Sequence, residues 1–405
     1  MPLYKDAKLV KALAICATAM VCTTRLSMAV GEIFNGLVLL LGGILWYTQR
    51  KTVRIDSETK GYIRALLIFA ITVLPSAIFG GNIRVGLREF LQMFVWRFVV
   101  FLPVLLFVKR RNYFINMLTA YMVVFGVDCL LTLVQVIYKL GNNDRGWGMG
   151  GSQLGIASII CMMMPISLVI LMDKRFETKI KSAAAFCFSG IWVALFCNKS
   201  RGSWVSNILL LPVAAINYIR YSRKALFALV GIFVLSGAIM WNVPKFHARF
   251  QSITNTTTDR SNGDRIEGWK SCLHMVQDHP VIGIGLGRWR EFYKQQYKLR
   301  TETQGLNHAH NNYFHLMAET GLLGLTGLLY FTGYFIFMNL KQWHKDGNPY
   351  SMMCMLAFLG YVFIFGQVEY TLDLSSGVRI FWFLEAICLG LRQIEKQKIV
   401  EKQER

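Results

Sequence analysis

Charge is scarce in this chain: charged residues fill 17% of its 405 positions against 54% hydrophobic ones, and the mean hydropathy is positive, +0.40. That balance excludes a water-soluble domain of this length. Cysteine pairs are missing where a disulfide framework would need them. Of nine cysteines only Cys272 lies in an extended polar region, so the rest are expected to be small buried hydrophobes. The first apolar segment lacks a small-residue cleavage site and is expected to stay as a membrane anchor. No HExxH or metal-binding cysteine pair occurs, nor any internal repeat or low-complexity run. GIGLGRW, residues 283–289, is glycine-rich but does not match GxGxxG, and no βαβ pattern surrounds it. A flexible turn is expected there instead of a nucleotide fold.

Apolar segments long enough to cross a bilayer are what the chain has in abundance. They recur near 9–24, 29–47, 62–80, 92–108, 113–138, 152–172, 182–198, 204–219, 224–242, 316–339, 350–367 and 376–391. The expected architecture is an all-α integral membrane protein of about twelve transmembrane helices with one large, partly helical outer loop. Residues 1–242 would hold the first nine spans, 243–315 the loop, 316–391 the last three, and 392–405 a basic cytoplasmic tail.

A net charge of +21 could point to nucleic acid, but its distribution excludes that partner. Lysine and arginine crowd alternate connections, as in Arg50, Lys51 and Arg54, in Lys109, Arg110 and Arg111, or in Lys174, Arg175, Lys179 and Lys181. The intervening short connections carry far fewer, among them Arg25, Arg84, Arg88, Lys139, Arg145 and Arg201. This asymmetry predicts that both termini are cytoplasmic and that the 243–315 segment lies on the opposite face.

That segment holds six of the seven histidines: His247, His274, His279, His308, His310 and His315. It is also rich in arginine, with Arg249, Arg265, Arg288 and Arg300 among others. Within it an amphipathic helix is expected to start at an Asp264 cap, to place Ile266, Trp269, Leu273 and Val276 on one face, and to lie flat at the membrane mouth. A second helix begins after Asn311 and runs into the tenth apolar segment. It puts Asn311, His315 and Glu319 one turn apart, with Gly321 and Gly324 allowing close packing beyond.

Three readings of the histidine cluster stay open. Histidines are common in polar loops near membranes; His308, His310, His315 and Glu319 could ligate a metal; or one imidazole could serve as a general base. Arginines help to choose a substrate for such a base. Arg201, in NKSRGSW, and Arg265, at the start of the loop helix, suit a phosphate better than lysine would. Snorkelling to lipid headgroups is the ordinary alternative. Charges inside apolar runs, Glu32, Arg97, Asp128, Arg379 and Glu385, would line a relay in a transporter or, more simply, form buried ion pairs.

The motif His310-Asn311, nine residues, then Gly321-Leu-Leu-Gly324 resembles the outer-loop signature of the bacterial O-antigen ligase family, which includes polymerase-like and protein O-oligosaccharyltransferase relatives. SRG at 200–202 and Arg265-x-x-x-Trp269 agree with it. The resemblance implies a GT-C-like membrane glycosyltransferase of the Gram-negative inner membrane. Its reaction would be metal-independent and inverting, would need no cofactor, and would move O-antigen from undecaprenyl diphosphate to a sugar hydroxyl of lipid A-core at a periplasmic site. It further implies His310 as the base and Arg201 and Arg265 as the diphosphate contacts. Asn311, His308, His315, Glu319 and Trp269 are supporting candidates, with Arg145, Arg88 and Arg288 as further ones. An O-antigen polymerase is the near alternative, although it usually has two large basic outer loops where this chain has one. A lipid-linked oligosaccharide flippase is the alternative from another class.

Overall fold

A computed structural model describes residues 7–140, 144–219, 223–256, 258–299 and 305–403. Arg300 lies outside the described residues. Among these residues the chain is helical, with no strand. Each of the twelve apolar segments falls on a helix: Ala7–Thr23, Met28–Gln49, Ser57–Phe79, Ile83–Phe107, Arg111–Ile137, Gln153–Met172, Thr178–Asn198, Arg201–Ile219, Arg223–Asn242, Asn312–Asp346, Pro349–Gln367 and Ser375–Gln403. Eight are long and apolar enough to cross a membrane. A ninth counts if Leu226–Asn242 and Pro244–Gln251, bent by 100° at their junction, form one broken span. A multi-span helical membrane protein is thus what folds, with eight or nine of the about twelve expected spans long and apolar enough among the described residues. Ala7–Thr23 is only 17 residues, and Ser375–Gln403 carries Arg379, Glu385 and Arg392.

Gln153–Met172 and Pro349–Phe358 are buried along almost their whole length at the centre of the bundle. Peripheral helices keep an exposed apolar face instead, for example Leu40, Ile71, Phe227 and Trp241. Surface of that kind is stable against lipid and not against water.

Successive helices run up and down, so the connections gather in two groups. At one end, Arg25 bonds to the Trp147 carbonyl, Arg145 to Asn198, Arg249 to Lys199, Arg288 to Gly80 and Asn311 to Gln367. At the other, Arg111 bonds to the Arg175 carbonyl, Arg175 to Gly347 and Gln393 to Asp56. The basic clusters of the sequence lie in this second group.

Four of the five charges inside apolar runs are ion-paired. Asp128 pairs with Arg25, Arg97 with Asp373, and Glu32 with Arg379 while also accepting from Trp96. Glu385 departs from the expected pairing, with no ion pair among the described residues.

Two expectations for the 243–311 segment are corrected. The loop helix spans Arg260–Asp278, because Asp259, whose carboxylate accepts from the Asn262 amide, caps it ahead of Asp264. Its buried face is Gly268, Ser271, Cys272 and Met275, packed on Asn312–Asp346, while Leu273 is exposed. GIGLGRW is no flexible turn. The amides of Ile284 and Gly285 donate to the carbonyls of Ala318 and Glu319, and the amides of Leu322 and Leu323 donate to Pro280 and Val281. These four bonds clamp a break at Gly321, where φ 65° and ψ −167° interrupt Asn312–Asp346. A side chain there would also strike the Val281 carbonyl, so only glycine fits.

Candidate active site

The loop 305–311 meets the irregular stretch that follows Pro349–Phe358. There the backbone passes through a π-turn at Leu359–Ile364 and short 3₁₀ turns up to Asp373, freeing polar groups in the interior. Asn312 satisfies them: its Nδ2 donates to the Val362 carbonyl at 3.1 Å, and its Oδ1 accepts from the Thr371 amide at 2.8 Å. Asn311 caps the following helix through Tyr313 and Phe314, and its Nδ2 donates to the Gln367 carbonyl at 2.9 Å. The pair sews two distant segments together.

His310 sits at that seam with φ +50°, a left-handed conformation that costs a non-glycine residue about 1 kcal/mol or more. Its neighbour is held on both sides. The Ala309 carbonyl accepts from Trp269 Nε1 at 2.8 Å, and the Ala309 amide donates to His315 Nδ1 at 3.2 Å. His315 is in turn fixed by stacking on Tyr370 at 3.7 Å and by Glu319 at 3.4 Å, while Glu319 accepts from the Trp289 amide. Trp269, His315 and Glu319 thus brace the backbone of His310, and none of them lines the cavity described next.

The partner of His310 is a residue that sequence reasoning missed. Glu369 is fully buried and places Oε2 3.0 Å from His310 Nδ1, with Oε1 3.4 Å from His308 Nε2. Burial alone would raise its carboxyl, but the hydrogen bond and charge of His310, with His308 and Arg265, outweigh it and hold the group below the usual range. Glu369 follows no recognisable local motif, and it lies 59 residues from His310.

A cavity of about 220 Å³ opens beside His310, and four arginines line it: Arg145, Arg201, Arg249 and Arg265. Arg201 bonds to the Ser252 carbonyl and hydroxyl and pairs with Asp259 at 3.0 Å. Arg145 is fixed through Nε to the Asn198 carbonyl at 2.7 Å. Arg265 lies in the second turn of the loop helix, not at its N-terminus, and has no hydrogen bond or ion pair among the described residues. Burial and then Arg249, Arg201 and Arg265 push Arg145 down to about 10; burial and Arg201 also lower Arg265. Such mutual repulsion is what an anion would relieve.

Arg88 and Arg288 are not part of this cavity. Arg88 is exposed and paired with Glu89, and Arg288 reaches the Gly80 carbonyl and Glu291. Arg249, in contrast, lines the cavity although nothing in the sequence separates it from the other loop arginines.

Protonation of the cluster gives a test of its energetics. His308 is pushed down to about 4 by burial, against the opposing pull of Glu369. A lowered folded value means that the unfolded chain takes up the proton first, below about 6.5. Stability contributed by neutral His308 is therefore full above that value and declines as pH falls from about 6.5 towards 4. The contribution of Glu369, whose folded value is also depressed, is lost lower, as pH falls through the carboxyl range. The melting temperature of purified protein is expected to fall across this window, and His308→Gln should flatten its upper part. An unaltered profile in the variant would exclude His308 as the cause.

Residues 183–329 match the family model described as O-antigen ligase. The matched segment contains Arg201, Arg249, Arg265 and His310, whereas Arg145 and Glu369 join the site from outside it. No curated protein matches the chain.

Proposed function

With residues 183–329 belonging to the O-antigen ligase family, we propose that the chain is a multi-pass membrane glycosyltransferase that moves O-antigen from undecaprenyl diphosphate to a sugar hydroxyl of lipid A-core. The observation that carries this reading is one cavity lined both by His310 and by Arg145, Arg201, Arg249 and Arg265. Glycosyl transfer from a diphosphate needs those two things together: a base for the attacking hydroxyl and positive charge for the leaving group.

In the proposed step the acceptor oxygen attacks the anomeric carbon and its proton passes to His310. The bond from that carbon to the diphosphate oxygen breaks, and the arginines hold the negative charge that develops, as Mg²⁺ does in other enzymes. A single displacement inverts the anomeric centre. Glu369, hydrogen-bonded to Nδ1, positions the imidazole so that Nε2 is the nitrogen free to accept the proton, and it stabilises the resulting imidazolium. Glu369 is a positioning residue in this scheme.

A second cavity of about 280 Å³, lined by residues next along the chain from those of the first, such as Phe250 after Arg249, supports a lipid-linked donor. It is lined by Trp192, Phe196, Trp204, Phe233 and Trp241, and Trp204 lies one turn beyond Arg201. Apolar walls next to a cationic cavity fit a prenyl chain attached to a diphosphate. The charge asymmetry between the two ends of the bundle favours both termini cytoplasmic and residues 243–315 on the opposite face, which for the family's reaction would be the periplasmic face of a Gram-negative inner membrane.

Removing the chain from cells that make lipopolysaccharide tests the reaction. Lipid A-core without O-antigen, with the glycan retained on its lipid carrier, is the expected result. Attachment that persists with chain length cut to a single unit would assign the chain as the polymerase. An unchanged ladder would exclude both.

A further inference from the structure

We propose that His308, His310 and Glu369 also form a binding site for one divalent cation of the Zn²⁺ class, and that its occupation switches the transfer off. Ion binding stands on the geometry alone; the inhibition rests on His310 acting as the base.

The three residues offer two imidazole nitrogens and a carboxylate oxygen, all within 4.8 Å of one another. Glu369 Oε2 lies 3.0 Å from His310 Nδ1, and Oε1 lies 3.4 Å from His308 Nε2. Bonds of about 2.0–2.2 Å at tetrahedral angles place zinc ligands about 3.4 Å apart, so donors that now lie within 4.8 Å of one another need to close by at most about 1.4 Å to hold an ion. The donor set is of the nitrogen and oxygen kind that Zn²⁺ prefers to Mg²⁺ or Ca²⁺.

The support around these donors is already built. Glu369 is fully buried and its Oε1 accepts from the Tyr370 amide at 3.1 Å. The His308 and His310 rings lie 4.1 Å apart and remain partly open, 29% and 19% exposed. Three protein ligands would leave a fourth position for water.

Inhibition follows from which atoms the ion takes. An ion on His310 Nδ1 replaces the hydrogen bond to Glu369, and the neutral ring then carries its proton on Nε2. That nitrogen can no longer accept a proton from the acceptor hydroxyl. His308 likewise moves its proton to Nδ1 and gives up a long 3.3 Å hydrogen bond from the His310 amide. No proton is gained or lost in either exchange. The cationic cavity alongside should keep the affinity moderate, and it argues for an ion that competes with the working state over one built into it.

The test uses the full chain in detergent micelles. Zn²⁺ is titrated against a chromophoric chelator, and Co²⁺ is used as a spectroscopic stand-in. Wild-type protein is expected to bind one equivalent more tightly than Glu369→Gln or His308→Gln, by at least about tenfold. Equal binding in wild type and variants, or none in wild type, would overturn the site. Should the variants not fold, the wild-type Co²⁺ spectrum decides: intense visible bands support a low-coordinate site, and the faint spectrum of aqueous Co²⁺ overturns it. Transfer by wild type should stop in Zn²⁺ and return with chelator, and should be undiminished in chelator alone. Full activity at saturating Zn²⁺, or activity lost in chelator and restored by Zn²⁺, would overturn the inhibitory role. A fully active His310→Ala enzyme would remove the base, and with it the inhibition, while leaving the ion-binding result intact.

Discussion

His310→Ala is expected to lower glycan transfer by roughly 10²–10⁴-fold, the usual contribution of a positioned general base, with the protein still inserted and folded. The fold should tolerate the change because the residue is partly exposed and, among the described residues, makes one side-chain hydrogen bond, to Glu369. Its left-handed backbone is imposed by its neighbours: Ala309 is held by Trp269 and His315, and Asn311 and Asn312 are tied to the 362–371 stretch. The scaffold therefore survives without the imidazole. Losing the ring leaves Glu369 with His308 and the Tyr370 amide as partners, so a modest fall in melting temperature should accompany the loss of rate. The measurement is attachment of O-antigen to core in cells carrying the variant, alongside its level in the membrane. Normal attachment would sink the assignment of His310 as base, and a flippase reading would gain from it, since a transporter would depend on charges such as Arg97 or Asp128 instead.

Arg265→Ala should cost about 10²–10³-fold in rate, the scale seen when a group that stabilises developing charge is removed. Among the four cavity arginines it is the cleanest probe. Arg201 holds Asp259 and Ser252, so its loss would also loosen the start of the loop helix. Arg265 has no such bond among the described residues and sits among like charges that depress Arg145. Removing it relieves repulsion with Arg145 and Arg201 and gives up attraction to Glu369 and Asp259, so the melting temperature should change little while activity falls. A large loss of rate with little change in stability is what a residue kept for function produces. Lysine should rescue poorly, because a point charge cannot grip a diphosphate in two places. A large drop in melting temperature in step with the loss of rate would instead make Arg265 structural.

Much of the chain's organisation was legible from composition and periodicity. Twelve apolar segments, the crowding of lysine and arginine in alternate connections, and one large polar segment rich in histidine and arginine are all properties of local sequence. Hydrophobic runs report helices because burial or lipid contact acts on contiguous residues. Which runs are long and apolar enough to span was less legible. Charges such as Arg379 and Glu385 occupy a helix whose neighbours decide where it sits, and the 100° bend at Val243 follows from a proline one residue later.

Local rules also misplaced some details. Asp259 and Asp264 both have the chemistry of a cap, and only the folded chain shows that Asp259 takes the role and Asp264 is buried inside the helix. GIGLGRW has the composition of a loose turn, yet its backbone helps clamp the break at Gly321, because hydrogen bonds such as Ile284 to Ala318 and Gly285 to Glu319, far apart along the chain, leave no trace in a seven-residue window.

The sequence by itself determined that this is a helical membrane protein with a histidine- and arginine-rich segment, and it singled out His310, Arg201 and Arg265 as candidates. Tertiary structure alone decided that these three share one cavity, that Arg145 and Arg249 join them while Arg88 and Arg288 do not, and that Glu369 is the partner of His310. The reason is physical. Hydrophobic pattern is written along the chain, whereas a site is made by side chains that packing and backbone hydrogen bonds carry together across gaps such as the 59 residues between His310 and Glu369.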